Sequence, residues 1–134
     1  MNEQHNFASF DIHDDCIVHI KFANFSPTDN QFRRFLIDLK SVLDQHHEFT
    51  LFVDTTDLPS TRLAYALQVA EFMQDNRPLF KEYCKASVLV INNDVVRTLL
   101  RTIFKIQKPV SPNKIVNNVC DGMDFLKQYK PIIA

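Results

Sequence analysis

The stretch Ala86–Lys114, ASVLVINNDVVRTLLRTIFKIQKPVSPNK, decides the fold. Ser87–Ile91 is a short apolar run bounded by turn residues, the pattern of a buried strand. Asn92, Asn93 and Asp94 turn the chain. From Asp94 to about Gln107, Val96, Leu99, Leu100, Ile103 and Phe104 recur at helical spacing. Pro109 and Pro112 then break the helix and send the chain toward another strand. A strand, a helix and a returning strand make a crossover unit, and such units are right-handed and parallel.

The same pattern extends in both directions. Phe49–Asp54 (FTLFVD) is a second nearly continuous apolar run. A helix starting near Ser60 follows it, through Leu63, Leu67, Ala70 and Met73, and ends before Pro78. Tyr65, Val69 and Phe72 make its other face apolar as well. Upstream, Ser26-Pro27-Thr28-Asp29 reads as a hydroxyl cap, a first-position proline and a first-turn acid. Phe32, Phe35, Leu36, Leu39, Val42 and Leu43 then form one apolar stripe, ending near His46-His47.

At the amino end, Phe10 and Ile12 alternate with polar residues, as do Cys16, Val18, Ile20 and Phe22. The odd-length link His13-Asp14-Asp15 puts Phe10 and Ile12 on the same face as Val18 and Ile20, which fits a hairpin with one buried face. Downstream, Lys114–Val119 is a weaker strand. Asp121 caps a last helix carrying Met123, Phe125, Leu126 and Tyr129. The expected order is ββαβαβαβα, an α/β fold with a mixed, mostly parallel sheet, read as one domain over residues 1–134.

Composition sets the exclusions. With 134 residues, 46% hydrophobic and 23% charged, the chain is an ordinary globular sequence. Its net charge of -1 gives no general attraction to nucleic acid. The core draws on 12 Phe and no Trp. A single glycine, Gly122, rules out a P-loop or a dinucleotide fingerprint, both of which need several glycines for close phosphate approach. Cys16, Cys84 and Cys120 show no CxxC spacing and read as reduced thiols. No signal peptide or spanning segment is visible, so a cytoplasmic setting is expected.

Asn92, Arg97, Phe104-Lys105, Lys108-Pro109, Pro112 and Phe125-Leu126-Lys127 carry a family likeness. In this pattern the second half of the chain resembles small bacterial STAS/SEC14-like proteins, and the whole layout resembles the STAS domain of SpoIIAA-like anti-sigma-factor antagonists. The resemblance implies a STAS-like domain with helices packed mainly on one face, a regulatory or binding role and no catalysis. It also points to the Asp54–Thr61 loop, where antagonists carry a phosphorylated Ser. Here the loop reads Asp54-Thr55-Thr56-Asp57-Leu58-Pro59-Ser60-Thr61, without the antagonists' glycine and adjacent Asp-Ser pair.

The candidate sites follow from these placements. Asp54, Thr55, Thr56, Asp57, Ser60, Thr61, Asn92, Asn93 and Asp94 fall after the carboxyl ends of two buried strands, where open α/β sheets bind ligands. Asp and Asn are also ordinary turn and cap residues. An acylphosphate-forming hydrolase needs a second Asp two residues after Asp54, and Thr56 stands there. Arg97, Arg101, Lys105 and Lys108 line one side of the third helix as candidates for an anionic ligand or membrane surface; a solvated helix face is the plainer reading.

His13, Asp14, Asp15 and His19 surround the hairpin but lack zinc spacing, so no metal is expected. Nor is a cofactor. The leading expectation is a non-enzymatic domain that binds a protein partner. The alternative is a lipid or small apolar ligand in a SEC14-like cavity, with peripheral membrane association. A homodimer is a further option for partnering; nucleic acid is not.

Overall fold

The computed structural model describes residues 6–13, 16–59 and 61–129. Strands β1 (Ala8–Ile12), β2 (Ile17–Phe22), β3 (Phe49–Asp54), β4 (Cys84–Val90) and β5 (Asn113–Val116) form a five-stranded sheet in chain order. β1 and β2 are antiparallel, and every later pair is parallel. The connections carry α1 (Asp29–Asp44), α2 (Leu63–Asp75), α3 (Arg77–Tyr83) and α4 (Asp94–Ile106), and α5 (Val119–Leu126) follows β5. A 3-10 turn at Lys127–Tyr129 extends α5.

The predicted hairpin parity holds. Phe10 faces Ile20 and Ile12 faces Val18 across the antiparallel pair. Cys16, read from its alternation as part of the second strand, instead precedes it with φ of 63°, helping to close the turn. Asp14 and Asp15 lie outside the described residues.

Several boundaries move for local reasons. Thr28, not Ser26, caps α1: its hydroxyl accepts from the Gln31 amide, while the Gln31 side chain accepts from the Thr28 amide. This reciprocal capping box is worth about 1 kcal/mol and leaves Pro27 outside the helix. α2 begins at Leu63, later than expected. Pro78 follows the end of α2, but it also sits in the first turn of α3, a helix the sequence reading did not foresee.

β4 starts three residues early, at Cys84, and β5 stops at Val116 instead of Val119. Asn118 caps α5 by accepting from the Asp121 amide, so Asp121 is a first-turn acid and not the cap.

The sheet's two faces are covered unequally. Val18, Ile20, Leu51, Val53 and Leu89 face the side taken by α1, α2 and α4. There Phe7, Phe22, Phe32 and Phe35 pack ring against ring, and Phe32 stacks on Tyr65 of α2 at 4.4 Å. On the reverse face Ile17, Phe52, Ala86, Val88 and Val90 pack with Val116 and with Leu126 of α5. Gly122 permits this close approach, because a Cβ there would lie 2.9 Å from the Phe52 ring.

Candidate functional site

An apolar cavity of about 220 Å³ lies between the sheet and its larger helical layer. Its walls come from four places: Leu51, Val53 and Leu89 of the central strands, Phe32 and Phe35 of α1, Val69 and Phe72 of α2, and Leu99 and Ile103 of α4. Large side chains on α1 and α2 hold these helices away from the central strands. Val53, Ser87 and Leu89 consequently remain only partly buried in the middle of the sheet.

One end of the cavity is bounded by Thr55, Leu58 and Thr61 after β3. The other is bounded by Cys84 and Ser87 of β4 and by Gln107–Ser111, the loop between α4 and β5.

At the first end, the structure brings together the two turns singled out from sequence. The Thr55 amide and hydroxyl both donate to the Val90 carbonyl, at 3.0 and 2.7 Å. Leu58 packs against Ile91, Val96 and Leu100, tying the Asp54–Thr61 loop to the start of α4. Asp54 is buried, and its carboxylate accepts from the Thr56 amide at 2.9 Å and from the Thr56 hydroxyl. Asp57 lies 3.8 Å from Lys21 as an exposed pair. Asn93 caps α4 by accepting from the Val95 and Val96 amides. Thr56, Asp57, Asn92 and Asp94 are left exposed on the rim. Ser60 lies outside the described residues.

The cationic row on α4 divides. Arg97 is largely committed within the fold: it donates to Asp94 at 2.8 Å, to the Ile91 carbonyl at 3.0 Å and to Asn117 at 3.4 Å. These bonds fasten the start of α4 to the end of β5. Arg101, Lys105 and Lys108 are exposed, and Lys108 alone of the row also lines the cavity.

Two buried groups extend the inventory. Burial pushes the Cys84 thiol up to about 11, against weaker opposing contributions from Ser111, the Ala86 carbonyl and Lys85. A thiol held protonated in this way is a poor nucleophile. His19, on the face opposite the cavity, meets Phe52 edge-on at 4.7 Å and lies 5.9 Å from the His13 ring. Its Nε2 is buried without a hydrogen-bond partner. Desolvation lowers its pKa, helped by His13 and Lys21 and opposed by Asp54 and Asp11.

Among the described residues, no three His, Cys, Asp or Glu side chains are grouped to hold a metal ion. No described helix is long and apolar enough to cross a membrane.

Sequence reasoning located the rim through its turn residues but missed the wall formed by Gln107–Ser111. The signal available was the apolar, proline-punctuated loop Lys108-Pro109-Val110-Ser111-Pro112, which is too hydrophobic for a purely solvated connection. His19 was weighed only as a metal ligand, because alternation alone cannot show that Nε2 loses its water.

A hairpin followed by parallel crossover strands, with four helices on one face and one on the other, defines the SpoIIAA-like class of α/β domain. A crystal structure of a Shewanella loihica PV-4 protein, described as an uncharacterized protein from the DUF3478 family with a SpoIIAA-like fold, superposes with a TM-score of 0.66. The match covers 94% of this chain and 98% of that one at 16% identity, which shows a shared fold. More narrowly, the chain belongs to the family described as Domain of unknown function (DUF7793), whose model matches residues 10–130. No curated protein matches it.

Proposed function

We propose that this chain is a non-enzymatic binding domain whose cavity holds a small apolar molecule. The cavity of about 220 Å³ carries the reading. Close-packed interiors rarely leave voids larger than a water molecule. An engineered apolar cavity of about 150 Å³ stays dry and takes up benzene, so this one suits a single medium-length chain or a fused ring.

The test is titration with a neutral apolar fluorophore such as phenylnaphthylamine. Wild type takes it up, and Val69→Trp, which fills the space from α2, loses at least about tenfold in affinity. A urea midpoint close to wild type shows that the variant folds. Equal uptake by both proteins removes the cavity as the site.

A second reading, capture of a protein partner at the sheet's carboxyl edge, is favoured by one observation. The Asp54–Thr61 loop and the Asn92–Asp94 turn are fastened together and leave four polar side chains exposed. Thr61→Glu then changes what is retained from a host lysate in a pull-down. Identical retention by both proteins counts against the rim.

A further inference from the structure

We infer that the cavity's ligand is a single-chain amphiphile with an anionic head, of the medium-chain carboxylic acid class, its head lying at the Gln107–Ser111 end. The inference rests on the cavity being a binding site and adds the polarity and direction of what enters it.

The two ends differ in charge. Thr55, Leu58 and Thr61 bound one end, and among the described residues no charged side chain lines the cavity there. At the far end Lys108 lines the cavity and enters none of the ion pairs among the described residues.

Ser87 lines the same end and brings a hydroxyl donor. A carboxylate seated there accepts charge-assisted hydrogen bonds from an ammonium and a hydroxyl, the strong kind in a partly desolvated mouth. Between the ends the walls are aromatic and aliphatic, and the volume admits one chain, not two. That width argues against a diacyl lipid entering whole.

The experiment compares decanoate, decanol and anionic phosphatidylglycerol vesicles on wild type and on Lys108→Glu, an exposed change that leaves the core intact. Decanoate is expected to bind wild type about tenfold more tightly than decanol, the worth of one charge-assisted bond. Lys108→Glu is expected to erase that preference while decanol binding stays unchanged. Equal binding of decanoate and decanol, unaffected by Lys108→Glu, overturns the head assignment and leaves the cavity reading standing. Binding of neither overturns both. Flotation with vesicles but no uptake of free decanoate also overturns the inference, since the anion recognised is then a membrane surface.

Discussion

The sheet's two faces invert a simple expectation. Among the described residues four helices lie on one side and α5 on the other, yet over β3 and β4 the single helix seals its side better. Phe52, Ala86, Val88 and Val90 on the α5 face are at most 1% exposed, whereas Val53, Ser87 and Leu89 beneath the larger layer are only half-buried. The difference lies in side-chain size at the contact. Gly122 and Ala86 let α5 settle onto the strands, while rings on α1 and α2 prop the other layer open around the cavity. Coverage by many elements is therefore not the same as close packing. The looser face is the one that holds the cavity.

Matched truncations across the central strands test this contrast most strongly. Val88→Ala, in the sealed face, is expected to cost roughly 2–3 kcal/mol, and Val53→Ala, beside the existing cavity, about 1 kcal/mol. Urea unfolding at constant slope measures both, and equal losses would mean that the faces are packed alike.

Enlargement tests the same idea in reverse, with a smaller effect. Gly122→Val gains under 1 kcal/mol of helix propensity but drives a branched side chain into the Phe52 ring, for a net loss of about 2 kcal/mol. Val69→Leu, which grows into the cavity, should change stability by less than about 1 kcal/mol in either direction. A large loss from Val69→Leu would show that the space is already filled by protein.

The smallest effect is the pH response of the α5 side. His19 has its folded pKa lowered below 6.5, chiefly by desolvation. The unfolded chain therefore binds more protons below pH 6.5, and stability falls as pH drops from there toward the lowered value. Above that window the contribution is complete. His19→Gln should flatten this acid-side loss in urea midpoints compared across pH 7.5 to 5.5 (values of about one unit either side of the ordinary His pKa). An unchanged slope would assign the loss to other groups.

Much of this molecule was legible from periodicity. The element order apart from α3, the hairpin parity, the buried β3 run and the stripes of α1 and α4 follow from spacing alone. Caps were harder, because Ser26, Thr28, Asn118 and Asp121 are all competent, and backbone geometry chooses among them. α3 was invisible since Arg77–Tyr83 is too short for a periodic signal, and Pro78 reads equally as a stop or a start. The candidate rim was found because turn chemistry is local. Arg97 looked like a surface cation until the Ile91 carbonyl and, from twenty residues away, Asn117 came within its reach.

The amino-acid order alone marked every strand, every helix but α3, and the turns at the carboxyl edge, because those outcomes depend on near neighbours. Whether α2 packs flush or stands off, and whether Lys108 borders a cavity, depended on the sizes of side chains meeting from separate segments. Packing is a property of the assembled layers. Only the tertiary structure could decide it.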